Sequence, residues 1–195
     1  MKHRFFFCLI ALLFPVIAQA NSSALIIQGI GGSETHEKKF AKWGTATRDT
    51  LVQQMGFTND RVFLLSGDAT KKESILKTFE QLKQQIKPQD NFLLFLIGHG
   101  SFDTDYKLNI MGADLTGAEY SKLIDSLNAA RTIIVSSTSS SGGMFETMSG
   151  KNRVIIAASR SGEKEDTVFY EYFLAGLKGA AADEDHSRRL ERVLR

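Results

Sequence analysis

The sequence contains almost no cysteine. Cys8 is the single cysteine among 195 residues, and it lies in the hydrophobic stretch near the start of the chain. We expect this stretch to be removed during export, which leaves the processed chain without a thiol. The processed protein would then have no disulfide, no cysteine metal ligand and no cysteine nucleophile.

Proline and net charge are also scarce. Two prolines and the lack of any low-complexity tract or internal repeat argue against long linkers, and the length suits a single domain. Lysine and arginine number 24 against 22 acidic residues, and Lys2 and Arg4 of the expected leader account for the surplus. A neutral chain without a basic tract predicts no nucleic-acid partner and no anionic membrane partner.

Residues 1–20 have the three parts of a signal peptide. Residues 2–4 form a basic start, residues 5–17 an apolar core, and Ala18-Gln19-Ala20 the small-x-small pattern that signal peptidase cleaves. We therefore expect cleavage after Ala20 and secretion to the periplasm. The apolar core is too short for a comfortable membrane-spanning helix and no later run approaches that length, so we expect no membrane insertion after cleavage.

The rest of the chain alternates between short apolar runs, which indicate strands, and stretches with apolar residues every three or four positions, which indicate helices. The predicted strands are Ala24–Ile30, Arg61–Leu65, Phe92–Ile97, Thr132–Ser137 and Val154–Ala158. The predicted helices are Thr35–Met55, Thr70–Ile86, Asp114–Leu127 and Asp166–Leu177, and Lys107–Met111 is expected to form a small hairpin arm. Asp114 is the expected N-cap of its helix, and the apolar stripes of the first two helices include Met55 and Leu76.

Strands separated by helices require crossover connections, which favour parallel strands covered by helices on both faces. We therefore predict an α/β fold, a three-layer sandwich with a mostly parallel, doubly wound sheet, over residues 21–180. Residues 181–195 are predicted to form a charged C-terminal tail.

The run Phe92–Ile97 is unbroken and apolar, as expected of a strand buried on both faces of a parallel sheet. It ends in Gly98-His99-Gly100, at the carboxyl end of the strand, where open α/β sheets place their reactive groups. The glycines allow a sharp turn and a close approach to a ligand. A turn whose imidazole only caps the loop is the alternative interpretation.

A second unusual stretch follows one strand later. Ser136–Ser141 consists of six consecutive small hydroxyl residues, which make a poor strand and a poor helix interior. They suit a tight loop or the first turn of a helix. In a doubly wound sheet this loop and the His99 loop follow consecutive strands, so we expect them to lie side by side. A hydroxyl, an imidazole and backbone N–H donors together are the elements of acyl transfer.

The two stretches resemble the active site of the legumain-like cysteine peptidases, which belong with caspases and gingipains to one structural clan. In that family an apolar strand ends in His-Gly, and a loop of the form Ala-Cys-x-Ser-Gly-x-Met-Phe follows one strand later. Here His99-Gly100 match the first motif, while Ser141-Gly142 and Met144-Phe145 match the second. The resemblance covers most of residues 24–177 and implies a caspase-like fold.

Ser139 stands where the family has its catalytic cysteine. The resemblance implies that His99 is the catalytic base, that the backbone N–H groups of Gly100 and Ser139 form an oxyanion hole, and that the chain binds a peptide or protein. The region 155–173 resembles the family's strand beside the specificity pocket. The substrate-binding residues that the resemblance implies are Ser159, Arg160, Ser161, Ser141 and Gly142. Arg160 would favour an acidic or carboxylate-bearing ligand, unless it is a solvated surface arginine.

The chain keeps the histidine of the family and lacks its cysteine, and three functions are consistent with this combination. The first is a pseudo-peptidase or weakly active peptide-binding protein of the cell envelope, because a serine hydroxyl does little without a well-placed base. The second is an active serine-type peptide or ester hydrolase that uses Ser139 and His99. The third is a purely structural interaction module. The sequence leaves the oligomeric state open.

No cofactor or metal is predicted. The turn Gly29–Gly32 lacks the third glycine of a dinucleotide fingerprint and the lysine of a Walker loop. Asp183, Asp185 and Ser187 match the first three ligand positions of a calcium loop, but Arg188 and Leu194 replace its glycine and its bidentate glutamate. Asp103 and Asp105 are candidates to orient His99, with solvated turn residues as the alternative.

Overall fold

The computed structural model describes residues 21–164 and 167–179. The expected signal peptide, the tail with its incomplete calcium-loop pattern, and the predicted start of the last helix at Asp166 lie outside these residues.

A five-stranded sheet forms the centre of the described structure. Its strands are β1 (Ser22–Gln28), β2 (Val62–Leu65), β3 (Asn91–Ile97), β6 (Arg131–Ser136) and β7 (Arg153–Ala157). Their order is β2-β1-β3-β6-β7, and each neighbouring pair is parallel. Two short strands, β4 (Gly100–Phe102) and β5 (Tyr106–Leu108), form a separate antiparallel arm.

Helices cover both faces of the sheet, which gives the predicted three layers. The helices are α1 (Glu34–Gln53), α2 (Lys72–Gln85), α3 (Gly117–Asp125), α4 (Met144–Met148) and α5 (Phe169–Leu177). One core cluster joins the sheet to buried residues of α1 and α5, and the other joins it to buried residues of α2, α3, α4 and the arm. The predicted mostly parallel α/β architecture is confirmed.

The central strands β1 and β3 are apolar along most of their length because both of their faces are buried. Leu25 and Ile27 of β1 belong to the core beneath α2, whereas Ala24 and Ile26 belong to the core beneath α1. Residues of β3 alternate between the two cores in the same way. A parallel strand with helices on both sides has no solvent face, which explains the unbroken run predicted to be the central strand.

Several local predictions are wrong. Asp114 does not cap α3: it accepts a hydrogen bond from the Ile110 N–H at 2.9 Å, and Thr116 is the N-cap in a capping box with Glu119. Met55 is 45% exposed because α1 ends at Gln53, before it, and Leu76 is 38% exposed on α2. The hairpin arm lies earlier than predicted, over residues 100–108.

No helix within residues 21–164 and 167–179 has both the length and the apolar character needed to cross a bilayer.

Candidate functional site

The sheet brings the two predicted loops together. β3 and β6 are neighbours, with Leu96 opposite Ser136, so the chain leaves both strands at the same edge. Gly98-His99-Gly100 follows β3, and residues 137–143 follow β6 before α4 begins. The expected adjacency of the two loops is therefore confirmed.

Close backbone packing explains both glycines beside His99. A Cβ atom on Gly100 would lie 2.6 Å from the Ser139 carbonyl oxygen, and one on Gly98 would lie 3.2 Å from the Gly29 Cα. Gly98 also has a φ of 149°, which side chains disfavour. The glycines let the loops after β1, β3 and β6 approach one another and hold His99, which is half-buried, between them.

Ser139 forms a two-way contact with Gly100. Its hydroxyl donates to the Gly100 carbonyl oxygen at 2.9 Å and accepts the Gly100 N–H at 3.2 Å. A hydroxyl has one proton to donate, and here that proton goes to a backbone carbonyl. The Gly100 N–H, which the family resemblance assigns to an oxyanion hole, is occupied by the same hydroxyl. Ser139 itself is 6% exposed.

Hydroxyl groups beneath this contact form a buried network. Thr138 Oγ1 shares hydrogen bonds with Tyr106 Oη at 2.8 Å and with Ser136 Oγ at 2.9 Å. Burial raises the pKa of Tyr106 to about 12, although its hydrogen bonds to these hydroxyls act in the opposite direction. Tyr106 belongs to β5, so the network fixes the arm against the loop that carries Ser139.

The later hydroxyls of the run attach this loop to the residues that follow β7. Ser141 Oγ accepts the N–H groups of Ala158 and Ser159 at 3.0 Å each, and Ser159 Oγ donates to the Thr138 carbonyl at 3.1 Å. Ser140 has a left-handed φ of 55° and donates from both its N–H and its hydroxyl to the Glu163 carbonyl. Most of the hydroxyl run therefore makes backbone contacts.

Two of the predicted substrate-binding residues, Ser141 and Gly142, belong to this loop, and the other three, Ser159, Arg160 and Ser161, lie beside it. Gly142 packs against them so closely that a Cβ would lie 2.6 Å from the Ser161 nitrogen. Ser141 is fully buried and Ser159 is half-buried, and their two hydroxyl groups are hydrogen-bonded to each other. Arg160 and Ser161 are exposed. Their roles in substrate binding stay predictions.

The loop after β1 and the first two turns of α1 supply contacts to His99 that sequence analysis missed. His99 Nε2 lies 3.1 Å from the Gly31 carbonyl oxygen. A carbonyl oxygen only accepts, so Nε2 is the donor in this contact. The His36 and Phe40 rings meet His99 edge to face, with centroids 4.8 and 5.2 Å away. The sequence feature that could have indicated these contacts is the glycine-rich turn 29–32, because it follows β1, the strand that pairs with β3.

The suggestion that Asp105 orients His99 is wrong. Its carboxylate accepts hydrogen bonds from the Tyr106 N–H at 2.7 Å, the Ala118 N–H at 3.0 Å and the Thr147 hydroxyl at 2.8 Å. Burial by itself raises the pKa of Asp105, but these hydrogen bonds outweigh it and hold the pKa below its ordinary value. Asp103 is exposed on the same arm.

Metal-binding clusters are not found in the part of the chain that the structure describes: no three or more histidine, cysteine, aspartate or glutamate side chains are grouped to hold an ion.

Comparisons with known proteins agree with this architecture. The chain is similar to the crystal structure of protein GSU0716 from Geobacter sulfurreducens, with a TM-score of 0.55, 14% identity, and 83% of each chain covered. This likeness shows the fold alone. A search of curated proteins finds no match.

The sequence model of the peptidase C13 family matches residues 58–187, which include both loops of the candidate site. This family comprises the legumain-like peptidases of the caspase clan, and its caspase-like fold is consistent with the central sheet and flanking helices. The chain therefore belongs to the peptidase C13 family.

Proposed function

We propose that this protein is a peptide-binding pseudo-peptidase of the cell envelope, in which Ser139 replaces the cysteine nucleophile of the C13 peptidases. The contact between the Ser139 hydroxyl and the Gly100 backbone carries the proposal. The hydroxyl directs its proton to a carbonyl oxygen and covers an N–H group that a reacting oxyanion would need. Export to the periplasm is part of the proposal and rests on the signal peptide predicted at residues 1–20.

The chemistry of the two side chains supports this view. A thiol is a weak hydrogen-bond donor and acceptor and ionises to a few per cent at neutral pH, so a cysteine at this position stays available and nucleophilic. A serine hydroxyl forms stronger hydrogen bonds and needs a base to remove its proton. His99 Nε2 donates to the Gly31 carbonyl, so this nitrogen is not positioned to accept the Ser139 proton.

The experiment compares peptide-library cleavage by the unsubstituted protein, Ser139→Cys, and each of these with His99→Ala. We expect cleavage by Ser139→Cys alone, because the thiol restores the nucleophile and His99 completes the site. Ser140→Cys is the matched control, since it places a thiol one residue away in the same loop and should give no activity.

Binding is measured on the unsubstituted protein with the same immobilised library. We expect it to retain peptides, with acidic sequences enriched, and we expect Arg160→Glu to lose that preference. Arg160 is exposed, so this substitution should leave the fold intact. If all four proteins fold but cleave no peptide, and the unsubstituted protein also retains none, the proposal is contradicted. That result would favour a purely structural interaction module.

A serine-type hydrolase is the second candidate. The observation that favours it is that the Ser139 hydroxyl lies 3.2 Å from the Gly100 nitrogen, in the amide that directly follows His99. This candidate predicts turnover by the unsubstituted protein that disappears in both Ser139→Ala and His99→Ala. It also predicts labelling by an electrophilic serine probe.

A further inference from the structure

A buried carboxylate lies at the corner where β1 and β3 begin, far along both strands from the candidate site. Asp90 immediately precedes β3 and has no exposed surface. Burying a carboxylate is costly unless it is paired and hydrogen-bonded. Its Oδ2 accepts the Lys87 N–H at 3.1 Å and an Arg61 guanidinium N–H at 3.3 Å, and its Oδ1 accepts the Asn21 N–H at 3.0 Å.

These contacts keep Asp90 ionised at neutral pH. Burial by itself raises the pKa of Asp90, but the hydrogen bonds from Asn21, Lys87 and Arg61 outweigh it and hold the pKa below its ordinary value. Arg61 is the charged side chain that pairs with Asp90 among the residues that the structure describes. Its Nη1 also donates to Ser23 Oγ at 3.2 Å.

The donor on Oδ1 is unusual because of its place in the sequence. Asn21 directly follows Ala18-Gln19-Ala20, the pattern after which we expect signal peptidase to cut. Hydrolysis of the Ala20–Asn21 peptide bond adds the oxygen of water to the Ala20 carbonyl carbon and a proton to the Asn21 nitrogen. The nitrogen that faces Asp90 thereby changes from a neutral amide into an α-amine that is protonated at neutral pH.

We propose that Asp90 is the binding site for the amino terminus of the processed chain, and that the Asn21 ammonium forms an ion pair with it after the leader is removed. The inference rests on the expected cleavage site and is independent of the proposed peptide-binding function. No rearrangement is required, since the Asn21 carbonyl already accepts the Asn91 N–H at 2.8 Å and Ser22 lies opposite Asn91 in the sheet.

Because of this ion pair, removal of the leader should increase the stability of the fold. In the uncleaved chain the Asn21 amide is a neutral donor to the Asp90 carboxylate, whereas in the cleaved chain both partners are charged and Coulomb attraction adds to the hydrogen bond. Pairing raises the pKa of the α-amine above its usual value of about 7.7–8.0. The added stability is therefore complete below that pH range and is lost as the pH rises through the raised pKa in the folded state.

The test begins with the full chain exported from a bacterial host. Mass spectrometry of the purified protein should show an amino terminus at Asn21. Its thermal unfolding midpoint is then compared at pH 6 and pH 10 with that of a variant carrying Gly-Ser inserted between Ala20 and Asn21. The insertion keeps a terminal ammonium but displaces it from Asp90.

We expect the midpoint of the Asn21-terminated protein to be roughly 3–6 °C higher at pH 6, and we expect the difference to vanish at pH 10. Arg61 keeps its charge over this range. Titrations of the other groups are common to both proteins and cancel in the comparison. Asp90→Asn, made in both backgrounds, should abolish the difference at pH 6.

A second measurement does not depend on the folding of Asp90→Asn. The rate at which an amine-reactive reagent labels the Asn21 α-amine should titrate with a midpoint above about 8.5, compared with about 7.7–8.0 for an unpaired terminus. Cleavage at another residue would overturn the proposal. So would equal unfolding midpoints at pH 6, or an ordinary titration of the amine in the correctly cleaved protein.

Discussion

At the scale of single residues, the site depends on positions where no side chain fits. Gly100 lies against the Ser139 carbonyl and Thr138, and its N–H and carbonyl both bond the Ser139 hydroxyl. The residue type at position 100 therefore controls how closely the histidine loop and the hydroxyl loop approach.

We expect Gly100→Ala to destabilise the fold by about 1–3 kcal/mol, because its Cβ meets a backbone oxygen that cannot move aside cheaply. Chemical denaturation measures the loss. Gly176→Ala is the matched control: among the described residues, no atom outside the adjacent helix backbone lies within 4 Å of the added methyl group, and alanine favours the helix. Equal stability of the two variants would show that the loops are not tightly packed.

At the scale of elements, Asp105 connects three pieces of structure that meet behind the candidate site. It lies between the strands of the arm, accepts an N–H from the first turn of α3 through Ala118, and accepts the Thr147 hydroxyl of α4. Gly117 leaves room for this contact, since a Cβ there would lie 2.7 Å from Asp105 Oδ1. Because α4 follows the Ser139 loop directly, Asp105 holds the arm and that loop in a fixed relation.

We expect Asp105→Asn to lose about 1–3 kcal/mol at pH 7, because the amide replaces an acceptor with a donor opposite N–H and hydroxyl donors. The pKa of Asp105 is lowered in the folded state, so its contribution is present above the unfolded pKa of about 3.9. It is lost as the pH falls through the lower folded pKa.

The measurement is the free energy of unfolding of both proteins from pH 7 down to pH 3. The difference between them should shrink below about pH 4. Asp103→Asn, at an exposed position on the same arm, should change the stability little at any pH. A pH-independent effect of Asp105→Asn would contradict the role assigned to its carboxylate.

At the scale of the whole molecule, two cores share one sheet. The core beneath α2, α3 and α4 and the core beneath α1 and α5 use alternate residues of the same strands. Loss of packing on one face therefore weakens the sheet for the other face as well. The described structure should unfold as one cooperative unit.

Phe79→Ala tests this cooperativity from the far side of the sheet. Phe79 is 1% exposed on α2, whereas Trp43, the single tryptophan of the chain, lies on α1 in the opposite core. We expect a loss of about 3–5 kcal/mol and an equal shift of the Trp43 fluorescence and far-UV circular dichroism midpoints. Leu76→Ala, at an exposed position on the same helix, should shift both only slightly. An unchanged fluorescence midpoint in Phe79→Ala would mean that the two cores unfold separately.

The local features of the fold follow from the sequence, because strand and helix periodicity directly records which faces are buried. The unbroken run 92–97 identified the central strand, and the stripe Phe40, Trp43, Thr47 and Leu51 identified the buried face of α1. The prediction erred at helix ends, at Met55 and Asp114, where one hydrogen bond decides the boundary. The order of the strands then implied that the His99 and Ser139 loops meet.

The partners of individual polar groups were decided only in three dimensions. The sequence by itself determined an α/β sheet, a histidine and a hydroxyl-rich loop at one sheet edge, and a leader-like start. The tertiary structure decided that Ser139 bonds Gly100, that His99 bonds Gly31, that Asp105 holds α3 and α4, and that Asp90 faces Asn21. Burial leaves a periodic trace along a chain, whereas a hydrogen bond between distant residues depends on strand order and backbone approach, which no local pattern records.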